Sequence, residues 1–175
     1  VFGTYNEDPD KAKRKPIANL YRLAPNLSLT HLLSNITVSN GIAFSENENI
    51  MYFADTPTGR IQKFEYTKNF NKFYELETNM IFKNVGEPDG ATVDIDNNYW
   101  SARVRGKCII CIDTKDEKIK EKISLPTNTP TCVTFGGANL NSRYITSLRS
   151  DPTSDNEGGN PVSYTHLRAH ETDRH

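Results

Sequence analysis

Cysteine, tryptophan and long apolar runs are all scarce in this sequence. Its 175 residues include three cysteines and one tryptophan, and no apolar stretch approaches the roughly 18 residues that a membrane-spanning helix needs. A low and odd number of cysteines argues against a disulfide scaffold and favours a reducing compartment. We therefore expect a cytoplasmic protein that does not enter a membrane.

An excess of charge of either sign is also missing. Lys and Arg number 21 and Asp and Glu number 22, for a formal net charge of −1, so nothing draws the chain to nucleic acid or to an anionic membrane surface. A starting methionine is absent as well, because the chain begins with Val1 in a segment that resembles the middle of a strand. We expect the N-terminus of the complete protein to precede Val1, so that a targeting signal would not be part of this sequence.

Aromatic and turn-forming residues are abundant by contrast. Eight Tyr and eight Phe stand among many Asn, Thr and Gly, a mixture that favours strands and tight turns over helices. Three segments each predict a strand, a polar turn and a second strand, which together make a hairpin. These hairpins cover 40–45 with 50–55, 89–94 with 99–102, and 131–135 with 143–147.

The hairpins belong to a longer unit that repeats along the chain. Third strands are predicted at 60–64 and 107–112, fourth strands at 79–82 and 122–125, and an earlier unit at 1–5, 17–23 and 29–33. A four-stranded unit that recurs about every 40–50 residues is typical of a propeller blade. Residues 1–160 are therefore predicted to be an all-β, partial β-propeller of about four blades, with a β-sandwich as the alternative.

The end of the chain breaks this pattern. Residues 161–175 are polar, lack the alternation of a strand and hold three of the four histidines. We interpret 161–175 as a non-native or disordered tail that does not belong to the predicted propeller.

Two neighbouring blades place an oxygen-bearing side chain at the same repeat position. Asn40 and Asp89 each stand just before the glycine that opens the first strand of their unit. In a propeller this strand lines the central channel, so the two side chains would converge near its mouth. An amide oxygen and a carboxylate suit a hard divalent cation such as Ca²⁺. The alternative is that Asn-Gly and Asp-Gly are only turn dipeptides.

A second candidate for metal or redox chemistry is weaker. Cys108 and Cys111 form a C-x-x-C pattern within a predicted strand, where residues three apart point to opposite faces. The sequence offers no second C-x-x-C and no matching histidine pair to complete a zinc set. We interpret both as ordinary strand cysteines.

An ordered set of short motifs carries a family resemblance. The motifs are Ser39-Asn40-Gly41-Ile42-Ala43-Phe44-Ser45, Met51-Tyr52-Phe53-Ala54-Asp55-Thr56 and Pro88-Asp89-Gly90-Ala91-Thr92-Val93-Asp94, followed by 99–102, 125–126 with 130–131, and 135–137 with 144–147. Over residues 1–159 this set resembles the senescence marker protein/gluconolactonase/luciferin-regenerating enzyme family, which includes regucalcin-like proteins.

The resemblance implies a site with named residues. The family is a six-bladed propeller with one divalent ion at the mouth of its channel; Ca²⁺ is the first choice, and Zn²⁺, Mn²⁺ or Mg²⁺ are alternatives. Asn40 and Asp89 match two of its protein ligands, and the third, a Glu of the first blade, has no counterpart here. Asp89 would also be the catalytic base that activates water. Asp8, or alternatively Glu7, falls where some members contact the substrate.

The activity that the resemblance implies is metal-dependent hydrolysis of a sugar-acid lactone such as gluconolactone, by a parent protein that is a monomer. The alternatives are a non-catalytic, calcium-binding regulatory propeller and a metal-free interaction propeller. Because part of the site would lie before Val1, we expect the 175-residue fragment by itself to be inactive.

Overall fold

The computed structural model describes residues 1–6, 8–45 and 47–148, together with the backbone of Val162–Thr165. Within these residues the protein is all-β, apart from short 3-10 helices at Lys11–Lys13, Thr56–Thr58 and Lys83–Val85. In the same part of the chain, no helix has the length and apolar character needed to cross a bilayer.

The described strands form four antiparallel sheets, and each strand pairs with the one that follows it in the chain. The first sheet contains β1 (Phe2–Gly3), β2 (Ala18–Leu23) and β3 (Leu29–Ile36); the second contains β4 (Ser39–Ser45), β5 (Ile50–Asp55), β6 (Arg60–Tyr66) and β7 (Phe73–Leu76). The third contains β8 (Glu87–Val93), β9 (Tyr99–Val104), β10 (Cys108–Asp113) and β11 (Lys118–Ser124); the fourth contains β12 (Pro130–Gly136), β13 (Ser142–Ser147) and β14 (Val162–Thr165).

The sheets stack face to face in chain order, with a separate apolar cluster between each pair. Ala18, Leu20 and Ile36 of the first sheet pack against Met51, Phe53 and Phe64 of the second. Tyr52, Ala54 and Ile61 of the second meet Tyr99, Cys108 and Ile110 of the third. Trp100, Ile109 and Cys111 of the third meet Val133 and Ile145 of the fourth. Strands β5 and β9 are therefore buried on both faces, as the middle of a blade must be.

The predicted hairpins and third strands are confirmed, whereas one predicted fourth strand is wrong. The outer strand of the second sheet is Phe73–Leu76, and the segment 79–82 makes only an isolated bridge, between Ile81 and Arg60. Met80 is fully buried in the cluster between the second and third sheets. The apolar residues of 79–82 thus belong to a connection that passes through the core, which local alternation cannot distinguish from a strand.

Part of the predicted tail takes a place in a sheet. Val162–Thr165 pairs antiparallel with β13, from Ile145 opposite Val162 to Ser142 opposite Thr165. The rest of 161–175 lies outside the described residues. The interpretation of 161–175 as a non-native or disordered tail stays a prediction.

The buried cysteines yield a prediction about thiol chemistry. Cys108 faces the cluster between the second and third sheets and Cys111 faces the next one, so the two thiols lie on opposite faces of the third sheet. Burial raises the pKa of Cys108, and it raises the pKa of Cys111 to about 12. Partial burial also raises the pKa of Cys132, so access to the reagent decides the difference. Cys132 is exposed, whereas Cys108 and Cys111 are buried, and alkylation of the folded protein should therefore label Cys132 and spare the other two. Peptide mass spectrometry checks this; labelling of Cys108 and Cys111 at the rate of Cys132 would contradict it.

Candidate functional site

The first strands of the second, third and fourth sheets share an irregularity at one end. The pairing register shifts between Asn40 and Ala43 in β4, between Pro88 and Ala91 in β8, and between Pro130 and Cys132 in β12. Such bulges bend a strand and redirect the side chain at the bulge, and they are common beside active sites. The predicted site residues Asn40 and Asp89 both lie at a bulge.

Glycines allow the bulged strands to approach one another closely. A methyl group at Gly90 would lie 2.7 Å from both Cys132 Sγ and Thr131 O of the neighbouring strand β12. Gly41 has a φ of +60°, and a methyl group there would lie 2.4 Å from Tyr99 Oη. The two residues that follow Asn40 and Asp89 therefore have to be glycines, which gives a packing reason for the Asn-Gly and Asp-Gly dipeptides.

A short hydrogen-bond chain joins the two strands that carry the candidate ligands. Asn40 Nδ2 donates to Thr56 Oγ1 at 2.7 Å, and Thr56 Oγ1 donates to the carbonyl oxygen of Pro88 at 2.9 Å. Pro88 immediately precedes Asp89. The side chain of Asn40 is thus coupled, through one hydroxyl, to the backbone that presents Asp89.

Asp55 fixes the segment that leads into Asn40. Its two carboxylate oxygens accept the backbone N–H groups of Val38 at 2.8 Å and Thr37 at 3.1 Å, and the residue is buried. Sequence reasoning missed both Asp55 and Thr56. The available signal was their position at the end of a quoted motif: Asp55 is the last residue of β5, which is buried throughout, and Thr56 follows it directly.

Asp89 is half-buried, and no described ion pair involves it. Burial raises its pKa to about 6, and the N–H of Gly90 opposes that shift in part. Burial removes water from the carboxylate and disfavours its anionic form, and no cationic side chain among the described ion pairs compensates for this. A bound cation would stabilise the anion. Its environment therefore fits a metal ligand.

The donor set fits a hard cation but does not complete its shell. Asn40 and Asp89 offer an amide oxygen and a carboxylate, the ligand types that Ca²⁺ prefers. Across the described ranges, no three His, Cys, Asp or Glu side chains come together in a way that could hold an ion. The ion would need further oxygen ligands, from water or from another part of the complete protein.

The loop that carries Asp8 lies at the same end of the sheets as Asn40. The N–H of Asn6 donates to the Thr37 carbonyl at 2.9 Å, and Tyr5 forms a bridge with Val38, so the loop contacts the connection into β4. Asp8 is half-buried, and its Oδ1 accepts the N–H of Asp10 at 2.9 Å. Among the described residues, no hydrogen bond or ion pair joins Asp8 to Asn40 or Asp89, so its role in substrate binding stays a prediction. Glu7 lies outside the described residues.

A separate cleft of about 560 Å³ lies at the opposite end of β8 and β12. Its lining includes Thr92, Asp94, Phe135 and Arg143, and none of the predicted site residues. The carboxylate of Asp94 stabilises the turn between β8 and β9, because it accepts hydrogen bonds from the backbone N–H groups of Asp96 and Asn98 and from the indole N–H of Trp100. The cleft is therefore distinct from the end that presents Asn40 and Asp89.

Comparison with known proteins confirms the resemblance seen in the motifs. The profile of the SMP-30/Gluconolactonase/LRE-like region matches residues 1–149. A 6-deoxy-6-sulfogluconolactonase of Pseudomonas putida is 32% identical over 133 residues, covering 75% of this chain and 45% of that protein. Regucalcin of Danio rerio is 29% identical over 136 residues, covering 74% of this chain and 44% of that protein.

The fold is shared with a solved relative. A luciferin-regenerating enzyme superimposes with a TM-score of 0.80 and 29% identity, over 94% of this chain and 57% of that one. The chain spans about half the length of the curated relatives it matches, 45% and 44% for the two named above. With the family profile covering residues 1–149, the chain belongs to the SMP-30/gluconolactonase/luciferin-regenerating enzyme family.

Proposed function

We propose that the chain is part of a metal-dependent hydrolase that opens sugar-acid lactones such as gluconolactone. In this proposal the complete protein is a six-bladed, monomeric, cytoplasmic propeller, and the four described sheets are the fragment of it seen here. The observation that carries the proposal is the matched pair of bulges, which places Asn40 and Asp89 at one end of adjacent first strands. Family relatives named as lactonases supply the substrate class.

The proposed chemistry divides between the ion and the side chains. When bound, a divalent ion, Ca²⁺ in the first instance, would polarise the lactone carbonyl and stabilise the oxyanion. Asn40 supplies a neutral oxygen ligand, and Asp89 supplies an anionic one. Asp8 is the proposed contact for the hydroxyl groups of the sugar acid.

Asp89 is also the proposed general base. Its carboxylate takes a proton from water as the water oxygen bonds to the carbonyl carbon; the ring C–O bond then breaks, and the departing oxygen takes up a proton to give the hydroxy acid. A half-buried carboxylate with its pKa raised to about 6 is a better base near neutral pH than an exposed one. Coordination would lower that pKa, so the ligand role has the firmer physical basis.

Removal of metal tests this function in the complete protein. We expect chelation with EDTA, followed by removal of the chelator, to abolish lactone opening, and Ca²⁺ or another divalent ion to restore it. Release of acid from gluconolactone, followed with a pH indicator and corrected for spontaneous hydrolysis, measures the rate. Full activity in the stripped protein would contradict a metal-dependent mechanism.

A non-catalytic, calcium-binding regulatory propeller is the second candidate. It is favoured by the match to a regucalcin and would use the same two oxygen donors. The same experiment separates the candidates, because a regulatory protein would bind the ion in calorimetry without any lactone opening.

A further inference from the structure

Thr56 occupies a junction between the two strands that carry the candidate ligands. It directly follows β5 and is half-buried. Its N–H donates to the Val38 carbonyl at 3.1 Å, which ties its backbone to the entry of β4. Its hydroxyl lies between Asn40 Nδ2, at 2.7 Å, and Pro88 O, at 2.9 Å. One side chain therefore contacts residues 16 and 32 positions away.

The single hydroxyl proton determines how the Asn40 amide is turned. A backbone carbonyl can only accept, so the Thr56 hydroxyl donates its proton to Pro88. With that proton used, the oxygen of Thr56 can only accept from Asn40, and the group that faces it has to be the NH₂. If the amide were turned the other way, Asn40 Oδ1 and the Pro88 carbonyl would both need the one proton of the Thr56 hydroxyl, and one of the two hydrogen bonds would be lost. The amide oxygen of Asn40 is thereby turned away from Thr56, and it accepts no hydrogen bond within the described part of the chain.

We propose that Thr56 is a positioning residue for the metal site. Its hydroxyl holds the Asn40 amide so that Oδ1 is available as a ligand. The same hydroxyl fixes the Pro88 carbonyl, so that the next residue, Asp89, stays in position. The inference rests on the proposed function, since it takes Asn40 and Asp89 as the ligands. Partners that orient a ligand in this way typically contribute 10–100-fold to metal affinity. Thr56 itself does not touch the ion or the substrate.

Thr58 provides a matched control within the same turn. Its hydroxyl also donates to a backbone carbonyl, that of Asp55 at 2.7 Å, and also accepts one N–H, that of Arg60 at 3.2 Å. No hydrogen bond joins its side chain to Asn40 or Pro88 among the described residues. Loss of the Thr58 hydroxyl thus also removes two hydrogen bonds, at a more exposed position of the turn, without reaching Asn40 or Pro88.

Calorimetric titration with Ca²⁺ tests the inference in the complete protein. We expect Thr56→Val, which keeps the shape but removes the hydroxyl, to raise the Kd for Ca²⁺ by about 10–100-fold. Thr56→Ala should weaken binding similarly. Thr56→Ser, which keeps the hydroxyl, and Thr58→Val should bind close to wild type. Thermal unfolding without ion should show that every variant is fully folded at the temperature of the titration, so that the affinity loss is not explained by unfolding.

The outcomes separate this inference from the proposed function. Wild-type affinity in Thr56→Val and Thr56→Ala would overturn the positioning role and leave the proposed site intact. An equal loss in Thr58→Val, or in Thr56→Ser, would also overturn it, because the effect would then not depend on the hydroxyl that reaches Asn40. A wild-type protein that binds no divalent ion would overturn both.

Discussion

Replacing Asp89 by Asn is expected to lower kcat for lactone opening by about 10²–10⁴-fold, and to weaken binding of the divalent ion in the same protein. The substitution keeps the shape of the side chain but removes the charge that the ion needs and the base that activates water. Because Asp89 is half-buried and has no described ion pair, the variant removes a lone anion and breaks no salt bridge. Steady-state kinetics together with calorimetry measure the two effects.

Asp96→Asn is the matched control for this substitution. Asp96 is an exposed carboxylate in the turn that follows β8, at the opposite end of the strand from Asp89. We expect it to leave both the rate and the ion affinity unchanged. A wild-type rate in Asp89→Asn, or an equal loss in the control, would refute the assignment of Asp89.

Gly41→Ala is expected to destabilise the protein through backbone strain and overpacking together. The left-handed conformation, with φ of +60°, costs a non-glycine residue roughly 1–2 kcal/mol. The added methyl would also lie 2.4 Å from Tyr99 Oη and 3.0 Å from Ala54 Cβ, and overpacking of this kind adds about 1–3 kcal/mol. Tyr99 donates its hydroxyl proton to the Gly41 carbonyl at 2.8 Å, so the contact between sheets would be displaced beside Asn40.

Gly59→Ala isolates the packing part of that cost. Gly59 has a similar φ of +68°, but a methyl group there meets only Lys83 Cγ, at 3.9 Å. We expect it to lose only the roughly 1–2 kcal/mol of backbone strain. Urea unfolding of both variants gives the free energies; equal losses would show that Tyr99 and Ala54 do not constrain Gly41.

The inner strands of each sheet could be predicted from sequence, and the outer ones less well. Strands such as β5 and β9 are buried on both faces. Their sequences are therefore short apolar blocks between turns, which is the pattern that predicts a buried strand. The outer strand β7 alternates less clearly: Phe73 stacks on Phe64 and Leu76 packs against the core, whereas Tyr74 and Glu75 between them are exposed. A four-residue strand with two exposed residues carries a weak apolar pattern, so the buried Met80 and its neighbours give the stronger strand signal.

The two proposed ligands could be named from the sequence repeat, whereas the residues that hydrogen-bond around them could not. Asn40 and Asp89 stand at equivalent positions of successive repeats, which a sequence shows directly. Thr56 has no such signal, because its proposed role depends on hydrogen bonds with Asn40 and Pro88, and the bond to Pro88 crosses from one sheet to the next. Asp55 is similar, since it caps backbone N–H groups 17 and 18 residues away. Only a folded structure brings these groups together.

A crystal structure of the complete protein grown with Ca²⁺ would test the central claim most directly. The account predicts one ion bound by both Asn40 Oδ1 and a carboxylate oxygen of Asp89, each at about 2.3–2.6 Å, with Asn40 Nδ2 still donating to Thr56. An ion held elsewhere, or Asn40 and Asp89 side chains that diverge in the presence of saturating Ca²⁺, would contradict it.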